Sequence, residues 1–504
     1  MNIENRAGGT ISKARRSNRC EGGKVGMRAA LQAVAESSSD AGARSWDGAK
    51  VHLIGIGGCG MRGAAALVQH LGARVSGSDQ AVHRNLDGLL VGGAVVYAGH
   101  RADQLPDDAD WVVISAAVPE DNPELQRARS LGHTVVTYAE LLGLLMQERK
   151  GVAVAGTHGK STTTGLTAYI YRLAGLDPSF IVGAHCRQLG GSSAAGAGQH
   201  MVVESCEFGR SFLHQHPQIA AILNIESDHL DYYEDLNDII DAFSSFAGNV
   251  GPDGVVVAKH RMPAVARATV DTAATVETFG VSPEATWHAA DIRMAKGVNR
   301  FSVRHRGEFM FETPLALAGL HNVFNALAAT ALAWHGGANV EAIAEGIATF
   351  QGVDRRMTLR SSAGGVTVVD DYAHHPTEIS ATLEALRTRY TPRRTWVVFQ
   401  PHQYSRTRLL MDEFATCFDG ADTVLVPDIY ASRDSEEDRR STGSAELVAR
   451  IGERGGRAEY LPSLEEVTRR LVGQVDRGDL VVTMGAGDVW KVADGLAEQA
   501  RRAD

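Results

Sequence analysis

Gly151-Val152-Ala153-Val154-Ala155 runs without a break into Gly156-Thr157-His158-Gly159-Lys160-Ser161-Thr162. A short apolar run that ends in a glycine turn and reopens as a helix is a strand–loop–helix unit, and repeated units of this kind build parallel sheets covered by helices. The rhythm starts three times in this chain. It begins at Val51-His52-Leu53-Ile54-Gly55-Ile56, with a glycine turn and a helix-like stretch from Met61 to Leu71. Arg74-Val75-Ser76-Gly77 and Trp111-Val112-Val113-Ile114-Ser115 continue it as further strands. It restarts at Gly151, with a helix to about Leu173, and again at Val366-Thr367-Val368-Val369-Asp370. Thr395–Phe399, Thr423–Val426 and Asp479–Thr483 are the strands that follow. The length of 504 residues allows about three domains at roughly 150 residues each. The prediction is an α/β protein with domains at 50–149, 150–356 and 357–504. Residues 1–49, rich in Ser, Gly, Ala and Arg, read as a disordered extension, with Met27 an alternative initiator.

Composition narrows the partners. A net charge of -10 argues against a nucleic-acid footprint, which needs a basic patch. Five cysteines (Cys20, Cys59, Cys186, Cys206, Cys417) are scattered without a C-x-x-C pair, so neither a disulfide framework nor a zinc site is expected and a reducing cytoplasm fits. No apolar run approaches the roughly 18 residues of a membrane span.

The turn at Gly156–Thr162 carries the chemistry. Its glycines let backbone N–H groups close round phosphate oxygens at a helix N-terminus. Lys160 is placed to reach β- and γ-phosphates, and the Ser161 hydroxyl to take Mg²⁺. Strict Walker spacing wants glycine where Val154 stands, so the loop is a shortened variant. Two other strand ends converge on it, because ligands collect at the carboxyl ends of parallel strands. Val202-Val203 ends on Glu204, and Ile219–Ile225 ends in Glu226-Ser227-Asp228-His229-Leu230-Asp231. Glu204 and Ser161 suit Mg²⁺; His229 as a ligand leaves Mn²⁺ open. Each acid taken alone is equally a helix cap.

The first unit carries Gly55-Ile56-Gly57-Gly58-Cys59-Gly60, a G-x-G-x-x-G, with Asp79 closing the next strand. That pattern places a diphosphate on a helix N-terminus without naming the nucleotide, and an NAD-dependent oxidoreductase is one reading of it. Polar runs at later strand ends are Asp370-Asp371-Tyr372-Ala373-His374-His375-Pro376, Gln400–Arg408 and Gly485-Ala486-Gly487-Asp488. Adjacent histidines on an extended run point opposite ways, so one of His374 and His375 is structural. Arg406 and Arg408 read as anion clamps or as a solvated face in equal measure. His321-Asn322-Val323-Phe324-Asn325 opens an Ala-rich helix whose asparagines share a face, holding an adenine edge or capping.

Together these residues resemble the Mur ligase family from about Val51 to the final helix. Gly156–Lys160 is similar to the family's Gly-Thr-His/Asn-Gly-Lys loop, which accounts for Val154; folylpolyglutamate synthases share a related loop. The glycine turn followed by Met61 resembles the UDP-binding turn of alanine-adding members. Asp370–Pro376 resembles a motif shared with murein tripeptide-recycling ligases, and Gln400–Thr407 one typical of alanine-adding members. The resemblance implies a Rossmann-like UDP-sugar domain, a central P-loop-type ATPase domain with a mostly parallel sheet, and a Rossmann-like domain that closes over them. It implies ADP-forming ligation: the lactyl carboxylate of UDP-N-acetylmuramate takes the γ-phosphate of ATP, and the amine of L-alanine displaces phosphate. A tripeptide-recycling activity is the rival within the family.

The residue roles follow from the same resemblance. Lys160, Glu204, His229, Arg356 and His375 would be catalytic, with Ser161, Glu204 and His229 holding the metal. ATP would meet Gly156, Thr157, His158, Gly159, Lys160, Ser161, Thr162, His321, Asn322 and Asn325. The UDP-sugar would meet Gly55, Gly57, Gly58, Gly60, Met61, Ser78 and Asp79, and the amino acid Tyr372, His402 and Arg406. A monomer or weak homodimer in the cytoplasm, with no nucleic-acid or membrane partner, completes the expectation. Gln403 stands where arginine is common in alanine-adding members, Met357 replaces a frequent aromatic, and Ser161 replaces threonine with its hydroxyl retained.

Overall fold

The computed structural model describes residues 46–81, 86–295 and 297–503. They form two compact units, divided between Leu141 and Leu142. The first unit is a five-stranded sheet of β1 (Lys50–Ile54), β2 (Arg74–Asp79), β3 (Val95–Ala98), β4 (Trp111–Ile114) and β5 (Thr134–Thr137). Its order is β3-β2-β1-β4-β5 and every pairing is parallel. The order reverses at β1, so the glycine turn that leaves β1 lies at the switch point where such sheets bind ligands. Helix Cys59–His70 follows it and buries Met61, Ala64, Ala65, Leu67 and Val68. The folded chain starts earlier than the boundary at residue 50. Trp46 is buried with its ring 5.9 Å from that of Trp111, because an indole that can cover the edge of β4 removes far more apolar surface from water than the small residues around it. Residues 1–45 of the expected extension lie outside the described residues.

The second unit holds two sheets. The larger contains β6 (Lys150–Ala155), β7 (Ser179–Cys186), β8 (Gly191–Ala194), β9 (His200–Ser205), β10 (Ile219–Ile222), β11 (Val255–Lys259), β12 (Thr275–Gly280), β13 (Trp287–Ala295), β14 (Val298–His305) and β15 (Glu308–Leu315). The order is β15-β14-β13-β12-β11-β10-β6-β9-β7-β8. It is parallel from β13 through β7, while the β13–β14, β14–β15 and β7–β8 pairings are antiparallel. The antiparallel part breaks the strand–helix rhythm. Arg306 (φ 52°) and Gly307 (φ 85°) both take the left-handed conformation that a two-residue hairpin between β14 and β15 requires.

Helix Lys160–Leu173 and the Ala-rich helix Leu320–His335 cover this sheet, and the Tyr171 hydroxyl donates to the Leu332 carbonyl at 3.0 Å to join them. The third sheet contains β16 (Thr358–Ser361), β17 (Thr367–Asp371), β18 (Thr395–Phe399), β19 (Thr423–Val426), β20 (Ala458–Tyr460) and β21 (Leu480–Met484), in the order β16-β17-β21-β18-β19-β20. All its pairings are parallel except that of β16. Apolar clusters lie on both faces, which is why its central strands read as continuous hydrophobic runs. No helix among the described residues is long and apolar enough to cross a membrane.

Candidate active site

The β6 strand delivers the phosphate loop. Gly156 has a φ of 146° and Gly159, which caps helix Lys160–Leu173, a φ of 83°. A Cβ on Gly159 would stand 2.5 Å from Asn325 Oδ1, so any side chain there would push the loop off the Ala-rich helix. Asn224, just past β10, pins the turn: its Oδ1 accepts from the His158 N–H at 2.7 Å and its Nδ2 donates to the His158 carbonyl at 3.0 Å. Lys160 is turned inward on Glu207, 2.9 Å away, and donates to the Thr157 carbonyl at 3.1 Å. Burial works against its charge, but Glu207, Cys206 and Glu204 outweigh burial and hold the ammonium well above its ordinary value. The lysine is therefore a fixed, desolvated cation at a helix N-terminus. Ser161 and Thr162 begin the helix, both buried.

Two carboxylates and a histidine face this lysine. Glu204, near the end of β9, accepts from the Gly183 N–H at 2.7 Å. Glu207 lies between Lys160 and His229, with His229 Nε2 at 4.0 Å. His229 has a φ of 54°, and its Nδ1 is sealed from solvent with no hydrogen-bond partner among the described residues. Burial depresses its basicity, which leaves a neutral imidazole able to offer a lone pair. A hydroxyl, two carboxylates and a neutral imidazole fit a hard divalent cation. The tightest ligand-like group among the described residues is a different one, His158, Glu226 and His375, with donor atoms within 4.8 Å of one another. Those side chains are already engaged with protein partners, as follows.

The third sheet contributes the opposite wall. His375 caps helix Pro376–Tyr390 by accepting from the Thr377 N–H, and its Nε2 lies 3.2 Å from the Ser227 carbonyl. His374 instead keeps its Nδ1 on the Tyr372 carbonyl, and burial pushes it down to about 3. Both histidines are thus committed, and His375 is the one that reaches across to the phosphate-loop side. Glu378, one turn into that helix, gathers the charges: it meets His158 Nδ1 at 3.0 Å, the His374 N–H at 3.0 Å and Arg356 at 3.7 Å. Arg355 and Arg356 both lie over the Tyr372 ring at 4.9 Å. Arg406 presents Nε and Nη2 to Asp228 Oδ1 at 3.0 and 2.9 Å, while Nη1 approaches His402 Nδ1 at 3.3 Å. Gln403 is turned away from this wall, buried with its amide on the Ser432 carbonyl at 2.9 Å.

His158 gives a pH-dependent joint. Burial would lower it, but Glu378 and Glu226 prevail and raise it to about 9. An imidazole raised above its unfolded value of about 6.5 stabilises fully below that pH and loses the contribution as pH rises through its folded value. Thermal stability should therefore decline between about pH 7 and pH 9.5 by an amount on the order of 2 kcal/mol. Melting curves of Glu378→Gln should show a shallower decline, and an identical slope would refute the assignment.

A cavity of about 310 Å³ opens between the phosphate loop and helix Pro376–Tyr390. Its polar end holds His158, Gly159 and Thr162, and its apolar part Leu223, Met262, Phe279, Leu317 and Phe324. His321, Asn322 and Asn325 line it as well. Asn325 Nδ2 donates to Asn322 Oδ1 at 3.1 Å, and Asn322 Nδ2 to the Ala318 carbonyl at 2.8 Å. Burial lowers His321 to about 4, so it faces the cavity neutral.

The first unit carries its own candidate site. The Gly57 N–H donates to Asp79 Oδ2 at 2.8 Å, and a Cβ at Gly57 would stand 2.9 Å from that oxygen. At Gly60 a Cβ would meet the Tyr138 hydroxyl at 2.6 Å. Gly55 needs its φ of 83° to turn the chain, and Met61 is buried. Ser78 is turned inward. It is fully buried and its hydroxyl is spent on Glu124 Oε2 and His100 Nδ1, both at 2.9 Å. Glu124 also meets His52 Nε2 at 2.7 Å, and a buried carboxylate needs all of these partners.

Family comparisons agree with this arrangement. The profile described as Mur ligase family, catalytic domain, matches residues 50–150, the Mur ligase middle domain matches 154–333, and the Mur ligase glutamate ligase domain matches 355–487. The chain belongs to the Mur ligase family. Its three sheets are the three-domain α/β architecture of Mur ligases. It is 42% identical over 447 residues to the UDP-N-acetylmuramate–L-alanine ligase of Acetivibrio thermocellus, covering 88% of this chain and 94% of that one. It is 40% identical over 455 residues to the enzyme of that name from Caldanaerobacter subterraneus subsp. tengcongensis, covering 90% and 98%. Among solved structures, the UDP-N-acetylmuramate-alanine ligase of Thermotoga maritima superposes with a TM-score of 0.75 at 28% identity, over 90% of this chain and 100% of that one. A murein peptide ligase from Psychrobacter arcticus shares the fold, with a TM-score of 0.68 at 24% identity.

Several residues of this candidate site escape sequence reasoning. Glu207, just past the end of β9, escapes because Glu204 three residues earlier already supplies a carboxylate. Asn224, Glu226 and Asp228 sit in a polar run in which only His229 stood out as a ligand. Glu378 reads as an ordinary first-turn acid of a helix. The one usable signal for it is its place three residues beyond His375, at the start of a helix whose first residues already carry the motif.

Proposed function

We propose that the chain joins L-alanine to the lactyl carboxylate of UDP-N-acetylmuramate, with cleavage of ATP to ADP and phosphate. The observation that carries this reading is Lys160, seated on a helix N-terminus against Glu207, in the same loop whose His158, Gly159 and Thr162 line the cavity. Relatives of about 40% identity along nine-tenths of the chain bear the name of that activity.

The reaction must bring two anions together. A carboxylate oxygen attacks the γ-phosphorus, the bond to the ADP oxygen breaks, and an acyl phosphate forms. The alanine nitrogen then attacks the acyl carbon, phosphate departs with the former carboxylate oxygen, and the nitrogen gives up a proton. Lys160 offsets the charge on the phosphates, and the N–H groups at the start of helix Lys160–Leu173, unlike those of Thr157 and His158, which Asn224 occupies, hold their oxygens in place. Mg²⁺ on Ser161, Glu204 and His229 would neutralise phosphate charge further. Neutral His321 with Asn322 and Asn325 suits the sugar and base of a nucleotide. Tyr372, His402 and Arg406 form the wall assigned to the amino acid, and closing that wall over the acyl phosphate keeps water out.

Purified protein should release phosphate only when ATP, UDP-N-acetylmuramate and L-alanine are all present. Turnover with a preformed tripeptide but not with L-alanine would move the assignment to a recycling ligase. NADH binding without ATP binding would remove it from ligases altogether. Glycine and L-serine should react about 10- to 200-fold less efficiently, the discrimination that one methyl or hydroxyl usually supports.

A further inference from the structure

Lys259 closes strand β11 at the ligand-binding edge of the large sheet, beside β10 and β12. Its side chain enters the cavity next to the phosphate loop. The ammonium lies on the face of the Phe324 ring and 5.3 Å from the centre of Phe279. Its Nζ is sealed from solvent and has no hydrogen-bond partner among the described residues. Burial, with no carboxylate to oppose it, pushes this lysine down to about 6.

A buried amine without a partner is costly, and folds seldom keep one except where something else supplies the acceptor. Other buried cations of this unit are paired: Lys160 with Glu207 and Arg406 with Asp228. The stem of Lys259 adds packing, yet methionine would pack as well with no polar atom to satisfy. The apolar surroundings, Leu223, Met262, Leu317 and two aromatic rings, form a slot suited to a flat heterocycle. The amine of Lys259 donates N–H groups, and the complementary edge of a flat base carries an unprotonated ring nitrogen.

We infer that Lys259 is a specificity residue for the nucleotide base, donating a hydrogen bond to a ring nitrogen of adenine. This rests on the reading above that ATP occupies the cavity. The bond is made to a flat base stacked among the aromatic rings, so it acts on nucleotide binding and not on the transferred phosphate. The exocyclic amine of adenine, a donor, is left to the asparagine carbonyl groups and water. Loss of the bond should raise the KM for ATP with little change in kcat, since the base is unchanged between ground and transition states.

The test compares ATP with 1-deaza-, 3-deaza- and 7-deaza-ATP in the phosphate-release assay, for wild type, Lys259→Met and Lys259→Gln. In the wild type one deaza analogue should raise KM roughly three- to tenfold, the span of a hydrogen bond from an uncharged donor. Lys259→Met should raise the KM for ATP by a similar factor and no longer distinguish ATP from that analogue. Lys259→Gln, which keeps a donor, should fall between. Melting of Lys259→Met without nucleotide should equal or exceed that of the wild type, because an unpaired buried amine is removed; a large drop would mark a structural role and overturn the proposal. Equal KM values for ATP in wild type and Lys259→Met, or tolerance of all three analogues by an active wild type, would also overturn it. A wild type that neither binds nor hydrolyses ATP fails the ligase reading itself, and the inference with it.

Discussion

Lys160→Ala should abolish measurable ligation, with kcat down by at least a factor on the order of 10²–10³, the loss expected when one preorganised charge partner of a transition state is removed. The lysine is buried between Glu207, Glu204 and the loop carbonyls, where a charge acts through little screening solvent. Its ammonium needs no reorganisation to meet phosphate oxygens. Removing it also leaves Glu207 buried, with only the neutral imidazole of His229, 4.0 Å away, beside it. Two losses are therefore mixed in the alanine variant, and a second variant separates them. Lys160→Ala with Glu207→Gln removes the unpaired carboxylate and should recover melting temperature without recovering turnover. Steady-state phosphate release and calorimetry report the two quantities independently. Near-normal turnover in either variant would end the assignment of Lys160 to the phosphates.

The second large effect is on stability. Arg406 and Asp228 form a buried pair across two sheets of the second unit, each side chain 6% exposed. Breaking such a pair on one side strands a charge, and Arg406→Met should cost about 3–5 kcal/mol. The urea midpoint of the variant reports this. Burial opposes the Asp228 charge, but Arg406, then His229 and His374, hold its carboxyl far below the usual range. A carboxyl with a depressed folded value stabilises above its unfolded value of about 3.9, and that contribution disappears as pH falls through the folded one. The penalty in Arg406→Met should therefore be full at pH 7 and shrink in acid, where protonation removes the stranded charge. Adding Asp228→Asn should restore much of the midpoint, since a neutral pair carries no desolvated charge. Additive losses in the double variant would show that the two side chains do not act as a pair.

Arg406 also bears on how far a family resemblance can be carried. The resemblance assigns it to the amino-acid carboxylate, whereas in the structure its guanidinium already serves a protein carboxylate. Its guanidinium makes four hydrogen bonds to Asp228 and His402, which leaves at least one of its five N–H groups for a ligand. Gln403, which differs from the arginine expected there by resemblance, is buried with its amide donating to the Ser432 carbonyl. Measuring KM for L-alanine in Arg406→Met with Asp228→Asn separates the ligand role from the structural one.

What the sequence determined by itself is local. An apolar run of five or six residues followed by glycine defines a strand end, and strand ends in a parallel sheet face one edge. Lys160, Glu204 and His229 could be placed near one sheet edge for that reason, as could the glycine turn after β1, whereas His321, Asn322 and Asn325 read as helix-opening residues and drew a ligand role only from the family resemblance. Only the tertiary structure decided the pairings. His158 meets Glu378 across 220 residues, and Arg406 meets Asp228 across 178. No periodicity encodes such a meeting, because a repeat of 2 or 3.6 residues tells which face a side chain takes and not what packs against that face. The same limit hid the antiparallel strands β14 and β15, and it hid the inward turn of Ser78. It also hid Lys259, whose residue type is ordinary at a strand end. Its meaning comes from the aromatic slot it enters and from the acceptor that slot does not supply.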